Sequence, residues 1–178
     1  CFHYYHSGVQ THSETNRYYY PNDFESAMKG IADSYYGKKP MFMTENCSMH
    51  DAETKDAVYA AWIMSNAFNY NRVNGYLFWN LLWGSQTEGC VRVENPWDKS
   101  SWKTEQGFVV YSDYHGLRHF SKFVRPGMTC IGESSSNSDV VSSAFVDSTG
   151  SNYVIVLVNG GSNHKVAVSL PAKNANGQ

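Results

Sequence analysis

Glu45 closes an apolar run, Pro40-Met41-Phe42-Met43-Thr44. A carboxylate there can act as a nucleophile or move a proton if the run is a buried strand opening into a groove. Two other apolar stretches end in groups that would complement it. Cys1 to Tyr5 brings His3 and Tyr5, and Gly75-Tyr76-Leu77-Phe78-Trp79 brings Trp79, followed by Asn80 and Trp83. In a β/α barrel or an open parallel sheet the C-terminal ends of the strands line the site, because the connecting loops converge there. A carboxylate, a His and Tyr to orient it, and Trp rings as flat apolar floors make a set suited to sugar hydrolysis.

Each member also has a plainer role. By local pattern, a Glu just past an apolar strand is more often a solvated loop residue, and Trp79 and Trp83 could be ordinary packing. His3, His6 and His12 lie in a strand and a polar loop, where solvated histidines outnumber metal ligands, so no metal site is expected. Asn46-Cys47-Ser48 matches a glycosylation sequon but stands at the site mouth, a poor place for a glycan. Asn159-Gly160-Gly161 reads as a hairpin turn, since no helix pattern follows. Glu88, Glu94 and Glu105 read as loop residues.

Positioning such a set requires alternating strands and helices. Ser7 to Asn16 is polar and loop-like. Phe24, Met28, Ile31 and Tyr35 then recur at helical spacing, with Asn22 and Asp23 as caps and Gly37 as the stop. A second helix, capped from Asp51 and Thr54, carries its stripe through Val58, Ala61, Trp62, Ser65 and Phe68, and breaks at Asn69 to Asn74. Gly75 to Trp79 reads as a buried strand, Gly84 to Gly107 as a loop, and Tyr111 to Phe123 as a third helix stopped by Pro126-Gly127. Strand-then-helix units in succession imply a parallel sheet. Beyond Gly127 the pattern becomes β: Met128 to Ile131, Val140 to Phe145, Tyr153 to Val158 and the alternating Lys165 to Leu170.

Composition narrows the classes. With 14 basic and 16 acidic residues the chain has no basic footprint for nucleic acid. No apolar stretch approaches the roughly 18 residues of a membrane span. Aromatic residues make 15% of the chain, which agrees with sugar stacking or with an aromatic core alike. The 4 cysteines show no C-x-x-C spacing, allow three pairings, and read most simply as free thiols.

At Lys39 to Glu45, Gly75 to Trp79 and, most specifically, His119-Phe120-Ser121-Lys122-Phe123-Val124-Arg125-Pro126-Gly127, the chain resembles glycoside hydrolase family 30, in particular its xylan-cleaving branch. The resemblance implies an α/β plus β fold: the C-terminal portion of a (β/α)₈ TIM barrel, about strands 6 to 8, over residues 1–126, then part of a side β-sandwich over 127–178. It implies that Glu45 is the nucleophile ending strand seven, that His3 and Tyr5 are the His-x-Tyr of strand six, and that Trp79, with Trp83 nearby, binds substrate at strand eight. The implied reaction is retaining cleavage of internal β-1,4-xylosidic bonds. Its acid/base Glu follows an Asn at the end of strand four, so the chain alone is expected to be inactive. Asn80-Leu81-Leu82-Trp83-Gly84 lacks the Arg that reads glucuronate in some members, which implies a xylanase indifferent to that side group. The expected partner is xylan, met outside the cell by a secreted monomer without cofactor, metal, nucleic acid or membrane. Alternatives are a related β-1,6-glucanase, galactanase or glucosylceramidase-like hydrolase, or a non-catalytic carbohydrate-binding protein.

Overall fold

Short apolar runs alternate with amphipathic ones up to residue 126, and a computed structural model, which describes residues 1–4, 24–46, 54–83, 89–137 and 139–170, resolves them into strands and helices. β1 (Phe2–His3), β2 (Phe42–Glu45) and β3 (Gly75–Tyr76) form a parallel sheet in that order, with α1 (Phe24–Tyr35) and α2 (Thr54–Asn69) as the intervening helices. Of the expected stripe, α1 buries Met28 and half-buries Ile31, with Ala32 buried beside them, whereas Tyr35 is exposed. It stops before Gly37, whose φ of 75° is the left-handed conformation that ends helices at low cost for glycine.

The expected single stripe of α2 is too narrow a description. Every residue from Tyr59 to Ala67 is buried, because the helix is enclosed by the parallel sheet, by α3 (Ser112–Ser121) and by the strands beyond residue 127. Gly116 of α3 lies against the backbone of Ala57, so the helices cross closely.

The stretch expected to be a loop, Gly84 to Gly107, instead contains part of a second sheet: β4 (Leu82–Trp83) pairs parallel with β5 (Val91–Val93), and β5 pairs antiparallel with β6 (Phe108–Val110). Strands of two or three residues are too short to show a period, and their pairing depends on distant partners. A single 3-10 turn, Lys99–Ser101, capped by the Asp98 carboxylate, lies between β5 and β6.

The last sheet is antiparallel, β7 (Thr129–Ile131), β8 (Val140–Val146), β9 (Tyr153–Asn159). Lys165 to Leu170, expected as a fourth strand, is not one. Val166, Val168 and Leu170 are 49%, 52% and 54% exposed, and alternation without a ladder partner does not make a strand. The Asn159-Gly160-Gly161 turn forms, with Asn159 Oδ1 accepting from the Gly161 N–H, but among the described residues no paired strand follows to complete a hairpin. One buried cluster joins the parallel sheet, the helices and the last sheet: Met28, Met43, Trp62, Ile63, Phe120, Phe145 and Val156 belong to it. Phe68 stacks on Phe120 and meets Phe145 edge-on at 5.2 Å between centroids.

Candidate active site

Alternation along a regular strand would put Met43 and Glu45 on one face, yet their surroundings are opposite. Met43 is fully buried among the helices, whereas the Glu45 side chain is 25% exposed. The register explains this. Phe2 pairs with Met43 and His3 with Glu45, so one step on β1 matches two on β2, and Thr44 is an extra residue. The other neighbour agrees, for the Leu77 N–H donates to Met43 and the Trp79 N–H to Asn46, two residues against three. Such a bulge re-aims the residue that follows it. Partners across a sheet share a face: Phe2, Met43 and Tyr76 face the helices, and His3 and Glu45 face away with Phe42, whose ring lies where a Cβ on Gly75 would be.

On that open face His3 Nδ1 stands 3.5 Å from Glu45 Oε2. This separation is at the long end of hydrogen-bond range. The Tyr4 N–H donates to the Glu45 carbonyl, and the Thr44 hydroxyl to the Phe2 carbonyl, which fixes the two strand ends to each other. Trp79 is tied by its N–H to the Asn46 carbonyl at 2.8 Å, and the residue is 40% exposed. The structure thus brings His3, Glu45 and Trp79 to one end of one sheet. Tyr5 lies outside the described residues, as do Cys47, His6 and His12. Trp83 is not part of this strand end: its backbone belongs to β4 in the second sheet, opposite Arg92, because the ladder of β3 ends at Tyr76 and the chain re-pairs after Asn80.

Sequence reasoning missed Asn46. It is 2% exposed; its Nδ2 donates to the Tyr4 carbonyl at 3.1 Å and its Oδ1 accepts from the Tyr76 hydroxyl at 2.9 Å. One amide therefore bridges the ends of all three strands directly behind Glu45, and a side chain so used is closed to a glycan. The available signal was an amide directly after a buried strand, where an unpaired polar group would be costly.

Glu94 is likewise more than a solvated loop residue. Burial pushes its carboxyl up, but the N–H groups of Lys103 and Thr104, the Thr104 hydroxyl and Arg92 outweigh that and hold it below the ordinary value. It braces the loop before β6, while Glu105 is an exposed residue of that loop. Cys1, Cys90 and Cys130 are free. Burial, with Asp113 adding to it, pushes the Cys90 thiol up to about 12, and burial pushes Cys130 up to about 11, so neither is a nucleophile at neutral pH. No helix among the described residues is long and apolar enough to cross a membrane.

No protein-family model and no curated protein matches the chain. Solved structures do. An exported protein from Bacteroides fragilis superposes with a TM-score of 0.61 at 15% identity, over 77% of this chain and 32% of that one. A GH30 endoxylanase from Clostridium papyrosolvens C71 gives 0.52 at 22% identity, over 74% and 31%. The catalytic domain of GH30 xylanase C from Talaromyces cellulolyticus gives 0.51 at 20%, over 68% and 28%. The chain spans about a third of the length of these structures and has the mixed α/β fold of parts of GH30 catalytic domains.

Proposed function

We propose that this chain carries the nucleophile of a retaining endo-acting glycoside hydrolase that cuts internal β-1,4-xylosidic bonds. The observation behind this reading is the extra residue in β2, which turns Glu45 out of the helix-facing core and sets it beside His3 on the open face. The solved GH30 xylanases of like fold, and the exported neighbour, agree with a polysaccharide met outside the cell.

In this mechanism a Glu45 oxygen attacks the anomeric carbon as the glycosidic C–O bond breaks, forming a glycosyl ester. A second carboxyl, about 5–5.5 Å away in retaining enzymes, protonates the departing oxygen and then takes a proton from the water that cleaves the ester. We assign that role to a Glu outside this chain, so the chain by itself is inactive, as an incomplete barrel would also require. His3 holds the carboxylate in line, and the ring of Trp79, an exposed residue, supplies a floor for the sugar. Tyr5 and Trp83 join substrate binding in this reading. The barrel segment is residues 1–126 and the sandwich segment 127–178, and the enzyme works as a monomer. With no Arg in Asn80 to Gly84, it does not require a glucuronate side group.

The test is product analysis with the complete enzyme on linear xylan, glucuronoxylan and β-1,6-glucan. Xylo-oligosaccharides of retained anomeric configuration from both xylans are expected. Inertness on both, or first-formed products of inverted configuration, would overturn the reading.

A further inference from the structure

Away from the strand ends, a cleft of about 560 Å³ lies between α2 and the β7–β8 part of the last sheet. This is within the size range of about 300–1,000 Å³ typical of small-molecule sites. Its walls hold a fixed polar network. Asn69 Nδ2 donates to the Ser142 carbonyl at 2.6 Å and to Glu133 Oε1 at 3.1 Å, and Asn69 Oδ1 accepts from the Ser143 hydroxyl at 3.1 Å. The Ser142 hydroxyl donates to Glu133 Oε2, and the Ser143 and Ser65 hydroxyls are bonded to each other at 2.5 Å.

Asn66, one helical turn before Tyr70 on the same wall, stands apart from this network. It is 2% exposed, and its Nδ2 has no partner among the described residues. Buried donors are rarely left so, because each forfeits its bonds to water. Asn66 lines the cleft, so this donor is left to a guest there. We propose that the cleft is a binding site for a short neutral saccharide.

The charges select that class. Glu133, facing the cleft, disfavours an anion and accepts from a hydroxyl with its remaining lone pairs. Arg72, also lining the cleft and supported at 5.3 Å over the Tyr36 ring, disfavours a cation and donates to a hydroxyl. A sugar hydroxyl both donates and accepts, and can meet Asn66, Glu133 and Arg72 together. Phe68 and Tyr70 add apolar surface for the C–H faces of the ring. This site uses neither Glu45 nor any other residue of the strand-end set.

The test is calorimetric titration of xylobiose and of glucuronic acid into the complete protein carrying Glu45→Gln, alone and combined with Ser134→Trp or Asn66→Asp. Ser134 is an exposed cleft residue, so Ser134→Trp fills the opening without touching the core. Expected is a saturable xylobiose site weakened at least tenfold by either added change, with glucuronic acid binding more weakly. A site erased by Ser134→Trp upholds the cleft even if no sugar binds at Glu45. No saturable site, one indifferent to both changes, or one preferring glucuronic acid would show a merely solvent-filled junction or another ligand class, and would overturn the proposal.

Discussion

Tyr76 donates its hydroxyl to Asn46 Oδ1 at 2.9 Å, and so ties the helix-facing side of β3 to the residue directly behind Glu45. Because Asn46 also donates to the Tyr4 carbonyl, the bridge depends on an amide, with one donor end and one acceptor end. Tyr76→Phe removes one bond and should cost about 1 kcal/mol. Asn46→Asp sets an acceptor against the Tyr4 carbonyl in a dry place and should cost about 3 kcal/mol or more. Urea unfolding of the two variants measures both, and equal losses would contradict a bridge built on amide polarity.

At the strand mouth the two polar side chains should separate kinetically. Glu45→Gln removes the atom that bonds to sugar, and in the complete enzyme turnover should fall by at least about 10³-fold with the melting temperature unchanged. His3→Ala leaves the nucleophile but not its alignment, and kcat should drop by about ten- to a hundredfold with KM nearly constant. Full activity in the Glu45 variant would remove that residue from the mechanism.

The close crossing of α2 and α3 makes Gly116 sensitive. Ala is the better helix former by about 1 kcal/mol. Its Cβ, however, would fall inside contact distance of the Ala57 carbonyl oxygen, a backbone atom that can move only if the helices part. Overpacking of that kind costs about 1–3 kcal/mol and should win, so Gly116→Ala is expected to lower the urea midpoint. A stabilised variant would mean that the crossing has slack.

Asp147 organises the turn between β8 and β9. Its side-chain partners Asn152 and Thr149, with the Ser151 and Asn152 N–H groups, hold its carboxyl well below the usual value. A lowered folded-state value means that the ionised form adds stability above the unfolded value, near 3.9, and that this is lost as pH falls toward the folded value. Asp147→Asn should therefore melt lower than wild type at neutral pH, with the gap narrowing steadily below about pH 4. A gap that stayed constant down to strongly acidic pH would remove the charge from the explanation.

Local period made much of the fold legible. α1, α3 and the β8–β9 pair follow from spacing and turn residues, and β2 from an unbroken apolar run ending at Glu45. β4 to β6 were hidden because their order comes from pairing across distance, as when Cys90 and Val91 donate to Asn80 and Leu81. Lys165 to Leu170 shows the converse, a pattern with no ladder to join. At the site, His3, Glu45 and Trp79 could be read as strand-end groups. The bulge that makes His3 and Glu45 face one way could not, since no single residue type announces an extra residue in a strand, and Asn46 was disguised by its sequon.

Because Phe145 of the last sheet, Phe120 of α3 and Met43 of β2 share one buried cluster, the parallel sheet and the last sheet are held by a single core. Heat should take the last sheet and the segment bearing the carboxylate together, in one endotherm. A lesion in the far sheet would then silence the strand ends without touching them.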